Sequence, residues 1–208
     1  MTPVVEDTAH ETSQDGSRGT PVSQETDAPD DRPQVTSEPR GSRRRAVMVL
    51  AVIAVIAVVL DIVSKQLAMT HLREGDPARI VPGVLYFSLT RNSGAAFSMG
   101  TTITWVFPTI AIAVIVAILY LTRRLRSIAW AVSLGLVLAG AFGNLIDRLF
   151  RAPGPFRGEV VDFISLFNGS GRGFAIFNVA DSCLTIGVIL AVLLELAGRH
   201  RDGSRART

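Results

Sequence analysis

Asp162 and Asp181 are the residues of this chain best suited to acid–base chemistry, and both stand where carboxylates are costly. Asp181 lies near the start of "FNVADSCLTIGVILAVLLELAG", an apolar run long enough to enter a bilayer, and Asp162 lies nineteen residues earlier in the apolar patch "GEVVDFISLF". Two carboxylates brought close repel, so one pKa rises and the pair shares a proton. One oxygen then takes a proton from water as it attacks a carbonyl, while the protonated partner donates to the developing oxyanion and later to the leaving group. Such chemistry needs no metal and no cofactor. Asn178 and Asp181 also have the spacing of a helix N-cap with its capping box, so a structural role for Asp181 stays open beside the chemical one.

Other hydrolytic schemes fail on inventory. His10, His71 and His200 are far apart in sequence and fall in a tail, an outer connection and a terminal flank, so neither a zinc site nor a Ser-His-Asp triad assembles. Ser64 and Lys65 are helical neighbours, which do not face each other, so a Ser-Lys dyad is also set aside.

Further polar residues fall at a similar depth. "DIVSK" puts Asp61 and Lys65, the chain's one lysine, four apart on one helix face, either as a neutralising ion pair or in contact with substrate. "GAFGNLIDRLF" puts Asn144, Asp147 and Arg148 within one turn of each other, with Gly140 and Gly143 leaving room for a neighbouring helix. "IVPGVLYFSLTRNSGAAF" reads as short β structure from Val84 to Leu89, then a turn at Asn92, Ser93 and Gly94. Four separate regions thus converge on one depth, which a shared polar site explains more simply than independent structural causes.

The elements that must hold these residues are four apolar runs, at about residues 46–69, 103–121, 128–146 and 179–197, each near the length that crosses a bilayer. Arg43 to Arg45 precede the first run, Arg123, Arg124 and Arg126 separate the second from the third, and Arg199, Arg201, Arg205 and Arg207 follow the fourth. The positive-inside rule makes that side cytoplasmic and turns the other two connections outward. The expected architecture is an all-α integral membrane protein with a small β element outside. Its domain spans residues 46–198, between a disordered cytoplasmic tail (1–45) and a basic cytoplasmic tail (199–208). The first tail carries nine acids before Pro39 and almost no large apolar side chain. The net charge of +3 therefore sums an acidic tail and basic membrane flanks, and does not suggest nucleic-acid binding. One cysteine, Cys183, excludes an intramolecular disulfide. On the residues alone, an ion-coupled carrier and a helix scaffold are rival readings. The inner halves of the second and fourth runs hold no charge but Glu195, which argues against a proton path.

The ordered set "DIVSK", "NSGAAF", "GAFGNLIDR", "VVDF" and "FNVADSCLTIG" resembles the lipoprotein signal peptidases, signal peptidase II, over about Ala46 to Gly198. The resemblance implies a four-helix aspartic peptidase of the bacterial inner membrane. It would cut prolipoproteins just before a diacylglyceryl-modified cysteine, near the extracytoplasmic face, with no metal and no cofactor. It assigns the catalytic dyad to Asp162 and Asp181. Asn92, Asn144, Arg148 and Asn178 would line the site, Asp61 and Lys65 would support it from the first span, and Asp147 would support fold or site. Its partners would be lipidated prolipoproteins and membrane lipid, with the chain acting as a monomer. Two positions depart from the family's pattern, Ile62 in place of a common glutamine and Ala139 in place of a common glycine, and neither touches the dyad.

Overall fold

Backbone polar groups in lipid have no water to bond, so an apolar run must satisfy them within itself, as a helix does. The computed structural model describes residues 40–94, 104–171 and 174–204 and contains four such helices: α1 (Arg40–His71), α2 (Val106–Leu121), α3 (Ile128–Phe150) and α4 (Val179–Leu196). Each is long and apolar enough to cross a membrane, α2 when counted with the 3-10 turn Thr122–Arg124 that extends it. Large apolar side chains on their outer faces, such as Val55, Val116 and Leu193, are more than half exposed in the isolated chain, as lipid-facing residues are.

The boundaries differ from the sequence expectation in two informative places. Helix α1 starts at Arg40, so Arg43 to Arg45 form its first turns and do not belong to a tail. Helix α3 runs through Phe150, four residues beyond the expected end, which puts Asp147 and Arg148 inside the helix. The acidic tail up to residue 39, the expected start of the second span at Ile103 and the last four residues lie outside the described residues.

Helix α3 is the central element, and glycines let its neighbours approach. A Cβ at Gly135 would meet the Leu50 carbonyl of α1 at 2.9 Å, and one at Gly140 would meet Leu184 of α4 at 2.8 Å. In return Gly187 of α4 packs on α3, where the Ser133 hydroxyl donates to its carbonyl at 2.8 Å. At one end of the bundle the basic segments gather. Arg43 bonds the Thr122 carbonyl, and the Arg126 and Ser127 amides donate to the Arg201 carbonyl at 2.9 and 3.1 Å. The Trp130 indole donates to Arg199 at 2.6 Å at the same end.

A three-stranded antiparallel sheet occupies the opposite end, in the order β1 (Ala78–Val81), β2 (Leu85–Asn92), β3 (Val160–Leu166). The outer β element is therefore larger than the sequence suggested, because the second outer connection contributes β3. One sheet face packs on α1, where Leu89, Val161 and Phe163 cluster with Ala68. A bulge interrupts the β2–β3 ladder between Phe87 and Thr90. Ile164 and Phe177 exchange backbone hydrogen bonds of 2.8 and 2.9 Å, which ties β3 to the residues that lead into α4. The architecture is thus four apolar helices plus a small sheet set at one end of the bundle.

Candidate active site

Helix α4 begins with an extended residue, Asn178, whose side-chain oxygen accepts the Asp181 amide at 2.9 Å. Asp181 Oδ2 accepts the Asn178 amide at 3.2 Å, completing the capping box read from the sequence. Capping uses only one carboxylate oxygen. The other, Oδ1, accepts the Asn144 side-chain amide at 2.7 Å, so Asp181 caps a helix and faces a cluster at once.

Asp162 comes to the same place from β3. Its Oδ1 accepts from the Asn178 amide at 2.7 Å and its Oδ2 from the Asn92 amide at 3.1 Å. The Asn178 amide also reaches Asn144 Oδ1 at 3.2 Å, so two asparagines bridge the two aspartates. Asp162 is 2% exposed. Burial, and after it the charge of Asp181, pushes its carboxyl up to about 7 from 3.8, against the opposing hydrogen bonds of Asn92 and Asn178.

A second cluster stands behind the first. Lys65 is fully buried and bonds Asp61 at 2.7 Å, Asp147 at 2.8 Å and the Asn144 side-chain oxygen at 3.1 Å. Asp61 accepts the Ala180 amide of α4 at 2.9 Å, and Asp147 accepts the Val161 amide of β3 at 3.3 Å and pairs with Arg151. Lys65 thereby joins α1 to α3 and, through its two carboxylates, to β3 and α4. Because the ammonium only donates, it fixes which side of Asn144 is oxygen and leaves the NH2 facing Asp181. Between its two readings from sequence, Lys65 takes the ion-pair arrangement.

Arg148 points elsewhere. Its guanidinium donates to the carbonyls of Ser93 at 2.9 Å, Gly158 at 3.3 Å and Gly94, and lies over the Phe107 ring with its centre 5.1 Å away. It fastens the outer connections to α3 and hydrogen-bonds neither aspartate.

Asn92, Asn144, Arg148, Asp162 and Asp181 all line one cavity of about 630 Å³, and Asp61, Lys65, Asp147 and Asn178 sit behind its wall. Away from the polar group the cavity runs between α2, α3 and α4 past Ile110, Val114 and Leu184, which are apolar. Among the described residues no three His, Cys, Asp or Glu side chains come together as a metal would require. Two participants were not singled out in the sequence. Arg151 stands four residues after Asp147, a readable ion-pair spacing that an α3 ended at Ile146 conceals. Phe107 gave no signal, since nothing in an apolar span tells which ring will meet a cation.

Comparison with known proteins fits this arrangement. Residues 53–197 match the family model described as signal peptidase (SPase) II. The chain belongs to the signal peptidase II family. The lipoprotein signal peptidase of Streptomyces coelicolor is 48% identical over 165 residues, covering 79% of this chain and 78% of the relative. That of Rhodococcus jostii is 42% identical over 184 residues, 87% of this chain and 90% of its own. That of Mycobacterium tuberculosis strain H37Rv is 48% identical over 168 residues, 77% and 80% respectively. A solved bacterial membrane enzyme, 35% identical, superposes with a TM-score of 0.64 over 76% of this chain and 94% of that one. A second, 38% identical, gives 0.61 over 71% and 92%. Family and helices together make this chain a signal peptidase of a bacterial membrane.

Proposed function

We propose that the chain is an aspartic endopeptidase that removes signal peptides from diacylglyceryl-modified prolipoproteins, cutting just before the lipidated cysteine. The observation that carries this reading is the pairing of Asp162 and Asp181 on one cavity through the amides of Asn144 and Asn178. Asp162, raised to about 7, holds the shared proton and donates it to the oxyanion that forms at the scissile carbonyl. Asp181 takes a proton from the attacking water and passes it to the cysteine's amine as the C–N bond breaks, while the hydroxyl that becomes part of the new carboxyl group returns its proton to Asp162. Neutral amide donors hold both carboxylates in place without fixing their charge.

The apolar depth of the cavity suits the signal peptide and the acyl chains, so the scissile bond arrives at the carboxylates from the membrane side. The basic end of the bundle faces the cytoplasm by the positive-inside rule, and the sheet and site face outward from the inner membrane. One chain supplies both carboxylates, so the monomer is the working unit.

Purified protein incubated with a lipidated prolipoprotein and its unlipidated form tests the reading. The lipidated form alone should be cut, and Asp162→Asn or Asp181→Asn should lower turnover by at least about 10²-fold while the protein still inserts in the membrane. Normal turnover by either variant would refute the dyad.

A further inference from the structure

A second cavity, of about 570 Å³, opens on the sheet beside the first. Ile176 lines both. So, in effect, does one rung of the ladder: Thr90 lines the second cavity, and its partner across the strands, Asp162, lines the first. Residues opposite each other in an antiparallel pair stand about 5 Å apart, so the second cavity begins one strand's width from the carboxylate pair.

Its lining is polar where the first is apolar. Arg79, Tyr86, Ser88, Thr90 and Ser170 present a guanidinium and four hydroxyls. Ser88 is only 6% exposed, yet its hydroxyl has no hydrogen-bond partner among the described residues. The hydroxyl lines an open cavity, where it is available to bond a ligand. Arg79 pairs in register with Tyr86 on the adjacent strand and is exposed, with no carboxylate partner among the described residues. Tyr86 accepts the Gly83 amide at 3.1 Å, which leaves its own hydroxyl proton to donate. The end wall is fixed, since Gly169 lies so close to Pro77 that a Cβ would strike that ring.

We propose that this cavity binds the stretch of substrate that follows the scissile bond, extended along β2, with Ser88 donating to a main-chain carbonyl and Arg79 meeting an acidic side chain. The inference rests on the peptidase reading of Asp162 and Asp181. A signal peptide is apolar and belongs in the membrane-side cavity, whereas the mature chain leaves the membrane and must be received by polar groups. Thr90, beside Asp162, and Tyr86, beside Arg79, are four residues apart on the bulged β2 but face a three-residue step of β3, from Asp162 to Ser165, so the span is about 10–13 Å. An extended peptide covers that distance in about three to four residues, so the acidic side chain stands about three to five residues beyond the cut.

Two lipidated prolipoprotein peptides, differing only in Asp or Lys at the third to fifth residues after the scissile bond, supply the test. The protein should favour the acidic peptide by about two- to fivefold in kcat/KM, the range of a solvent-facing ion pair, through KM. Arg79→Glu should invert the preference, and Ser88→Ala should raise KM for both peptides with kcat held. Equal kcat/KM for the two peptides, or a preference that Arg79→Glu leaves in place, overturns the subsite alone. Cleavage of neither peptide, or of both by Asp162→Asn, overturns the peptidase reading and the subsite with it.

Discussion

Lys65 is the residue whose loss the structure makes most costly. Its ammonium sits 2.7 Å from Asp61 and 2.8 Å from Asp147, and the three side chains are 1%, 1% and 2% exposed. Lys65→Met keeps the length of the side chain and removes the charge, so two carboxylates are left in the interior with only Arg151 as a cation in contact. Breaking a buried pair by removing one partner costs about 3–5 kcal/mol, chiefly because the other charge stays buried. At about 2–4 °C per kcal/mol for a chain of this size, the melting temperature in detergent should fall by about 6–20 °C. Adding Asp61→Asn restores neutrality and keeps an oxygen for the Ala180 amide, so the double variant should melt above the single one by a coupling of about 1–3 kcal/mol. The measurement is a pair of thermal melts with cleavage followed alongside, where the single variant also loses turnover as Asn144 is freed to flip. A Lys65→Met melt within about 2 °C of the parent, or a double variant no better than the single, would show that this ammonium is not holding buried charge.

Three further outcomes follow from the site and the helix packing. Asp162 ionises near pH 7 in the folded chain against 3.8 for an unperturbed aspartate, so the folded state binds the extra proton. Its contribution to stability is therefore full below about pH 4 and is lost as the pH rises through 7, and kcat/KM should fall on the same alkaline limb. The Asn92 amide favours the charged form, so Asn92→Ala should raise that pKa and move the alkaline limb of a pH–rate profile up by about one unit, whereas a downward move would contradict the assigned hydrogen bond. Gly140→Ala places a Cβ against the Ala180 carbonyl and the Leu184 backbone of α4, where no flexible side chain can yield. It should cost about 1–3 kcal/mol in a detergent melt, and a neutral effect would refute the close contact of α3 with α4 at this position.

Much of this site was legible in the sequence because the bilayer makes polar residues conspicuous. Asp61, Lys65, Asn144 and Asp181 stand out against apolar runs, and the helical period states which of them share a face. The capping box of Asn178 and Asp181 was equally readable, since it depends on three residues of local spacing. What could not be read was long-range pairing. Strand β3 joins β2 across the whole of α2 and α3, and no local pattern in "VVDFISL" announces its partner. Arg148 shows the same limit: it lines the cavity, but nothing in its spacing tells that its donors go to the carbonyls of Ser93, Gly94 and Gly158.

The polar residues divide into two groups of different charge, and the division bears on how such a site could work. Asp61, Lys65, Asp147 and Arg151 bring two acidic and two basic side chains into direct contact, so the formal charge of this group is balanced. Asp162 and Asp181 are hydrogen-bonded only to amides, those of Asn92, Asn144 and Asn178, among the described residues. An unbalanced pair in a poorly solvated place lowers its energy by binding a proton, and neutral donors permit either state. Asn144 belongs to both groups: its oxygen meets Lys65 and its NH2 meets Asp181. The balanced cluster can therefore fix the orientation of the amide that holds one carboxylate, while leaving the charge of that carboxylate free to change. A cation placed directly against Asp162 would hold it ionised and remove the proton the reaction needs. The arrangement thus puts its one lysine one residue away from the dyad and lets a neutral amide make the contact.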